Sequence, residues 1–259
     1  MKIALPLLLP IFLLIVLAAC LPILTPSPAL STDTALPPTI TPTATTVWFP
    51  PTPTSTPFPT ATLCITPTLD TSPKHGNLIF RDDFSESGLW STGNLSAGSI
   101  ALGANELTLA VSQERGYLFS LRQGTQLDDF YVEITTSPSI CRTEDEYGLL
   151  LRISPSLEFL RFSFSCDGHA RVDRYLNGKA SSPHPPLLSG MVPPGAPSSS
   201  RMSVLAKGKD IHFYANHKYL FSVRESNLII GGLGVFARAA GQDPVTINFS
   251  DLTVYETEP

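Results

Sequence analysis

The sequence predicts an all-β domain, a sandwich of two antiparallel sheets, over residues 76–259. Three observations carry this. Apolar residues alternate with polar ones in short runs, which is the period of a half-buried strand. Turn dipeptides recur about every eight to twelve residues. No window of useful length shows a helical period. Ahead of the domain the composition divides the chain into an apolar segment, residues 1–19, and a Pro/Thr-rich segment, residues 20–75.

The first segment opens with Met1-Lys2 and continues uncharged from Ile3 to Ala19. A short basic region followed by an apolar one reads as a secretory signal peptide. Leu17-Ala18-Ala19-Cys20 resembles the bacterial lipobox, in which a diacylglycerol is joined to the cysteine thiol and the chain is cut before it. The resemblance implies lipidation of Cys20 and a membrane anchor worth about 0.8 kcal/mol per buried methylene. Two other readings stand beside it. Leu5 to Leu24 has roughly the 20 residues of a spanning helix, although Pro6, Pro10 and Pro22 oppose an unbroken one. A simple secretory signal is the other. All three place the rest of the chain outside the cytoplasm.

In the second segment proline and threonine make up about half of the residues, as in TPTATTVWFPPTPTSTPFPTATLCITPT. So little apolar surface cannot offset the entropy of ordering the chain, and proline favours extended polyproline II. The segment is expected to be a disordered, semi-rigid stalk. Fully extended, its 55 or so residues reach on the order of 170 Å at ~3.1 Å each. Its only charges are Asp33, Asp70 and Lys74. With Lys2 these cancel, so the formal net charge of −5 falls on the domain. A mildly acidic domain is a poor partner for nucleic acid.

Within the domain the strands follow in order. ELTLAVS places Leu107, Leu109 and Val111 on one face. DFYVEITT alternates Phe130, Val132 and Ile134 with Tyr131, Glu133 and Thr135. LRFSFSC alternates Leu160, Phe162 and Phe164 with Arg161, Ser163 and Ser165. MSVLA, DIHFYANH and VTINFSDLTV continue with Met202, Val204 and Ala206, then Ile211, Phe213 and Ala215, then Val245, Ile247 and Phe249. One wet face and one dry face is the pattern of antiparallel strands, and about a dozen of them make two sheets. Asn177-Gly178, Lys207-Gly208 and Asn216-His217 mark turns. SSPHPPLLSGMVPPGAPSSS reads as a long mobile loop.

FRDDFSESGLW, EYGLLLRISPSLEFLRFSFSCDGHARVDRYLNGK, SRMSVLAKGKDIHFYANHKYLFSV, GGLGVFA and INFSDLTVYE, in that order, resemble the concanavalin A-like jelly-roll superfamily. More narrowly they are similar to the 3-keto-disaccharide hydrolase, or DUF1080-like, domain of bacterial surface proteins. The resemblance spans most of residues 77–256. It implies a jelly roll, and a fold shared by lectins, glycanases and adhesion modules. Asn216-His217 stands where Asn-Gly is usual, and a tryptophan common before the RMSVLA-type strand is absent.

Of four cysteines, Cys20 is assigned to lipid and Cys64 lies in the stalk. Cys141 and Cys166 flank one intervening strand, so an up-down-up meander brings both to one end of a sheet. Outside the cytoplasm a disulfide is expected there.

No catalytic set is legible. Laminarinase-type enzymes of the superfamily carry Glu-x-Asp-x-Glu on one strand, and neither TEDEYG (Glu144, Asp145, Glu146) nor LDDFYVEI (Asp128, Asp129, Glu133) matches. The first reads as a solvated turn. His75, His169, His184, His212 and His217 have no metal-ligand spacing. What remains is a polar sheet face offering Tyr131, Glu133, Arg152, Arg161, Arg171, Asp173 and Tyr175. Aromatic rings and planar polar groups are the parts that recognise sugars. The opposing reading is that Arg152 and Arg161 pair with Glu133 or Asp173 across strands on a solvated face. No cofactor is called for. A structural calcium between Asp82, Asp83 and Asp251 is a further idea, weighed against simple turn and cap roles. The expectation is a lipid-anchored binding module with carbohydrate or cell-wall glycan as ligand. The alternatives are a glycoside hydrolase or lyase of 3-keto-sugar type, and an adhesion module that binds protein.

Overall fold

The computed structural model describes residues 73–258. The expected signal peptide, the lipidation of Cys20, Cys64 and the stalk up to residue 72 lie outside the described residues. The described chain contains strands and no helix: β1 (His75–Asp82), β2 (Gly93–Leu95), β3 (Gly98–Gly103), β4 (Glu106–Val111), β5 (Tyr117–Leu121), β6 (Phe130–Ile140), β7 (Glu146–Ile153), β8 (Phe159–Ser165), β9 (His169–Leu176), β10 (Lys179–Ser181), β11 (Leu187–Leu188), β12 (Ser200–Lys207), β13 (Asp210–Ala215), β14 (Lys218–Arg224), β15 (Gly232–Arg238) and β16 (Val245–Thr257).

They form two antiparallel sheets. One has nine strands in the order β14-β13-β12-β6-β16-β4-β3-β2, with β1 on the far half of β16. The other has seven, β10-β9-β8-β7-β15-β5, with β11 beside β9. Every residue that alternation assigns to the dry face, from Leu107 to Phe249, is at most 1 % exposed. The two dry faces pack together as one core. β16 pairs with β6 along one edge, and serves two neighbours on the other because it breaks at Asp251, whose φ is +49°. Before the break it pairs with β4, and after it with β1.

Turn chemistry agrees with the sequence. Asn177-Gly178 and Asn216-His217 have both central residues at positive φ, the hairpin turn whose twist matches its strands. The segment from Ser181 to Ser200 is not the loose loop expected. It is pinned by β11 on β9, by buried Val192 and by the Gly195 amide on the Cys166 carbonyl at 2.8 Å. Its apolar Leu187 and Val192 give it something to bury, so its proline content shapes the path without freeing it.

The disulfide Cys141–Cys166 is present, with Cα atoms 5.9 Å apart. Its setting corrects the meander. β6 belongs to the nine-stranded sheet, while β7 and β8 belong to the other. The chain crosses the core between Ile140 and Glu146, so the bond staples the two sheets together at one end.

The residues take the turn and cap roles weighed against a structural calcium. Asp82 is buried and already accepts from the Phe84 amide (2.9 Å), Trp90 Nε1 (3.0 Å) and Arg122 Nε (2.8 Å). Asp83 caps Ser85, and Asp251 pairs with Arg81 at 3.2 Å. No three acidic, histidine or cysteine side chains gather for a metal among the described residues.

Candidate functional site

The outer face of the seven-stranded sheet departs from the wet-face expectation. Every residue of β7 is buried, on both faces. Alternation from Leu149 and Leu151 inward puts Glu146, Gly148 and Leu150 outward. Register then sets Leu150 opposite Arg161, and Arg161 opposite Asp173. On the other side Glu146 faces Arg238, and Arg238 faces Tyr117. Gly148 lies between Phe236 and Ser163. A Cβ there would stand 2.1 Å from the Phe162 carbonyl oxygen, so only glycine fits.

Two regions share this face. The first is ionic. Arg161 Nη2 donates to Asp173 Oδ2 at 2.6 Å and lies 3.2 Å from Glu146 Oε2. Glu146 also meets Arg238 Nη1 at 3.2 Å and Arg171 Nη1 at 3.8 Å. Asp173 takes Arg171 Nε at 2.9 Å and the Ser182 hydroxyl. Arg161, Glu146 and Asp173 are buried, whereas Arg171 and Arg238 are more than a third exposed. Burial works against ionisation of Asp173. The hydrogen bonds from Ser182 and Arg161, with the Arg161 charge, outweigh it and hold this carboxyl below its usual range. Burial also opposes the charge on Arg161, and Glu146 and Asp173 overcome it.

The second region is apolar and aromatic. Leu150, Ile153 and Phe236 form a small outer core, with Tyr117, Leu121 and Phe159 against it. Tyr175 stacks on Phe159 at 4.7 Å, and Tyr117 on Phe236 at 5.5 Å. The Arg161 guanidinium joins the regions, 5.2 Å from the centres of both Tyr175 and Phe236. Burial pushes the Tyr117 hydroxyl far above its ordinary pKa.

Three concavities open on this side. One of about 380 Å³ is walled by Glu144, Glu146, Asp167, His169, Arg171 and Arg238. A wholly apolar one of about 80 Å³ lies among Tyr117, Leu121, Leu150 and Phe159. It shares Leu121, Ile153 and Leu157 with a third, about 490 Å³, that runs past Arg122–Gln126 and Ile230–Leu233.

The residues chosen from sequence do not line one groove. Arg161, Arg171, Asp173 and Tyr175 come together here. Tyr131 and Glu133 lie on the outer face of the other sheet. There the Tyr131 hydroxyl donates to Glu133, Arg201 Nη2 approaches the carboxylate at 3.2 Å, and the His75 ring stacks on Tyr131. Arg152 leaves the face altogether. It is the extra residue of a bulge opposite Gly232–Leu233, with φ at +51°. Its guanidinium turns to the end of the sandwich and donates to the carbonyls of Asp128 (2.7 Å), Gly208 (2.9 Å) and Leu228 (3.0 Å). Asp129 caps the Gly208 amide and pairs loosely with Arg152 at 3.8 Å. Sequence reasoning missed Glu146, Arg238, Tyr117, Phe159 and Phe236. TEDEYG is not a solvated turn: Asp145 and Glu146 are both buried, and Asp145 accepts the Ala240 and Arg142 amides at 2.8 Å. The alternation of EYGLLLRI, read back from Leu150, was the signal for Glu146.

No protein-family model matches the chain, and no curated protein matches it. Solved structures do. A carbohydrate binding module, CBM66 from Bacillus subtilis, aligns with 14% identity and a TM-score of 0.50, over 65% of this chain and 96% of that one. A protein of unknown function with a galectin-like fold, also from Bacillus subtilis, aligns with 16% identity and a TM-score of 0.53, over 71% and 97%. The catalytic domain of an endo-1,3-beta-glucanase (laminarinase) from Thermotoga petrophila RKU-1 aligns with 9% identity and a TM-score of 0.51, over 71% and 98%. At such identities the likeness is one of fold, and the fold is a concanavalin A-like jelly-roll sandwich.

Proposed function

We propose that the chain is a lipid-anchored surface protein of the bacterial cell envelope, and that the outer face of its seven-stranded sheet binds carbohydrate. The anchor rests on Leu17-Ala18-Ala19-Cys20 at the end of an apolar run. The binding reading rests on one observation: an aromatic strip and an arginine–carboxylate cluster adjoin on one face, beside a concavity of about 380 Å³. Aromatic faces suit the C–H side of a pyranose. Arginine forks and carboxylates suit its vicinal hydroxyls. The volume is within the ordinary range of small-molecule sites. That a carbohydrate binding module and a glucanase share the fold supports this by analogy only.

The test is a glycan array probed with residues 21–259, with Arg238→Ala and Arg171→Ala as paired variants. Both side chains are partly exposed, so their loss should leave the fold intact. A saccharide bound by the parent and lost in the variants is expected. A folded protein that binds no saccharide would sink the reading. For the anchor, fatty-acid labelling of the full chain should be abolished by Cys20→Ser.

A glycoside hydrolase is the second reading, and one observation favours it. Glu146 and Asp173 converge on a single nitrogen of Arg161, and paired carboxylates are what glycoside hydrolysis uses. Such chemistry also needs one of them to be a proton donor. Asp173 is held below its usual range, and Glu146 is ringed by three arginines. The cluster is therefore better built to hold than to cleave. Release of reducing ends from a bound glycan would reverse that order.

A further inference from the structure

The concavity of about 380 Å³ carries a charge that its arginines do not cancel. Its wall and the network behind it hold five carboxylates: Glu144, Asp145, Glu146, Asp167 and Asp173. Three guanidiniums answer them, those of Arg161, Arg171 and Arg238. His169, with Nδ1 2.9 Å from Asp167, can add at most one more positive charge. Arg142, on the same connection as Glu144, pairs outside the cavity with Asp243 at 3.3 Å. The site therefore holds at least one negative charge in excess, whichever form His169 takes.

The excess falls at the mouth. Glu146 and Asp173 are buried and hold the arginines. Asp145 is buried and accepts two backbone amides. Asp167 is taken by the Ser165 hydroxyl and by His169. Glu144 is exposed and has neither a hydrogen bond nor an ion pair among the described residues. The Cys141–Cys166 bond ties the connection that carries Glu144 to the one that carries Asp167, so both stand on one rim. Donors share that cavity. Arg238 meets Glu146 through Nη1, which leaves its other N–H groups for sugar hydroxyls.

A polyuronate or a sulfated glycan would bring its own charge against this excess. A neutral sugar can use the arginine forks but leaves Glu144 to water. A protonated amino group answers the carboxylate with a positive charge and three donors.

We propose that the site takes sugars bearing a free, protonated amino group, and that Glu144 selects them. This rests on the carbohydrate reading above and adds the ligand class to it.

The experiment uses residues 21–259 and matched oligosaccharides, in buffer that keeps the sugar amine protonated. Oligomers of glucosamine and galactosamine are titrated beside their glucose and galactose counterparts and beside the corresponding uronic acids. At least one amino-sugar oligomer should bind about threefold or more tighter than its neutral counterpart, the scale of an exposed ion pair. The uronic acid should bind weakest. The preference should shrink as sodium chloride is raised, because salt screens exposed charges. Glu144→Gln, at an exposed position, should erase the preference while leaving the binding of the neutral sugar. Equal binding of amino and neutral forms, or tightest binding of the uronic acid, would overturn the amino-sugar assignment and leave the carbohydrate reading standing. A preference that survives Glu144→Gln, or that salt does not touch, would place its cause elsewhere and also overturn it. No binding of any form, by protein with an intact β-sheet circular dichroism spectrum, would overturn both.

Discussion

Arg161 and Asp173 face each other across β8 and β9, joined by a 2.6 Å hydrogen bond on the outside of a sheet, yet both are buried. From the sequence they are candidate ligand-binding residues, with a solvated cross-strand pair as the opposing reading. The pairing holds and the solvation does not, because Tyr175, Phe236, Arg171 and Glu146 crowd over them. Breaking a buried pair leaves an uncompensated charge, at a cost of about 3–5 kcal/mol. Arg161→Met should lower the urea midpoint accordingly. The double replacement Arg161→Met with Asp173→Leu should recover much of the loss. If Arg161→Met alone is neutral, the pair does not matter to stability.

Acid sensitivity follows from Asp173. Its folded pKa lies below the ordinary 3.8. A depressed carboxylate contributes stability that is full above the unfolded value and lost as pH falls through the folded one. Stability attributable to Asp173 should therefore hold above about pH 4 and fade below it. Asp173→Asn should be less stable than the parent at pH 6, with the gap narrowing toward pH 2. Denaturant melts at both pH values check this. A gap that widens in acid would contradict the assigned shift.

Arg152 acts as a clasp. Three carbonyls from three separate connections depend on it. Each buried acceptor left unpaired costs about 1–3 kcal/mol. Arg152→Ala should lose about 3 kcal/mol or more in thermal or chemical unfolding, and Arg152→Lys should recover only part.

The disulfide closes a separation of 25 residues and ties the sheets together. In the chain-entropy picture that contributes about 3 kcal/mol. The double variant Cys141→Ser with Cys166→Ser should be destabilised by about that amount. Cys166 adjoins Ser165 and Asp167, and its amide bonds the Asp145 carbonyl at 3.0 Å. The wall of the 380 Å³ concavity should then loosen, visible as faster amide exchange at Asp145 to Tyr147.

Much of this was legible in the sequence, and the failures are physical. Alternation located the dry face of strand after strand, because a residue placed on the wrong face would bury a polar group. It paired the cysteines at one end, although it set them on one sheet where there are two. Period-two reading assigns a face and says nothing of which sheet the face belongs to. That is why Tyr131 and Glu133 were grouped with Arg161 when the core lies between them. Arg152 was misplaced by a single inserted residue, since one bulge redirects a side chain that counting would send outward. Glu146 was overlooked because a cluster of acids suggests solvent, while its three arginines come from β8, β9 and β15.

The first and last strands of the domain pair with each other, His75 against Thr257. The chain therefore enters and leaves through neighbouring rungs of one ladder, on the sheet opposite the candidate site. Circular permutation is a natural operation on such a plan: a short linker from Thr257 to His75 should close the fold, and new termini could be opened at an exposed hairpin. A reporter fused after Thr257 would emerge beside His75. It would leave the outer face of the seven-stranded sheet unobstructed.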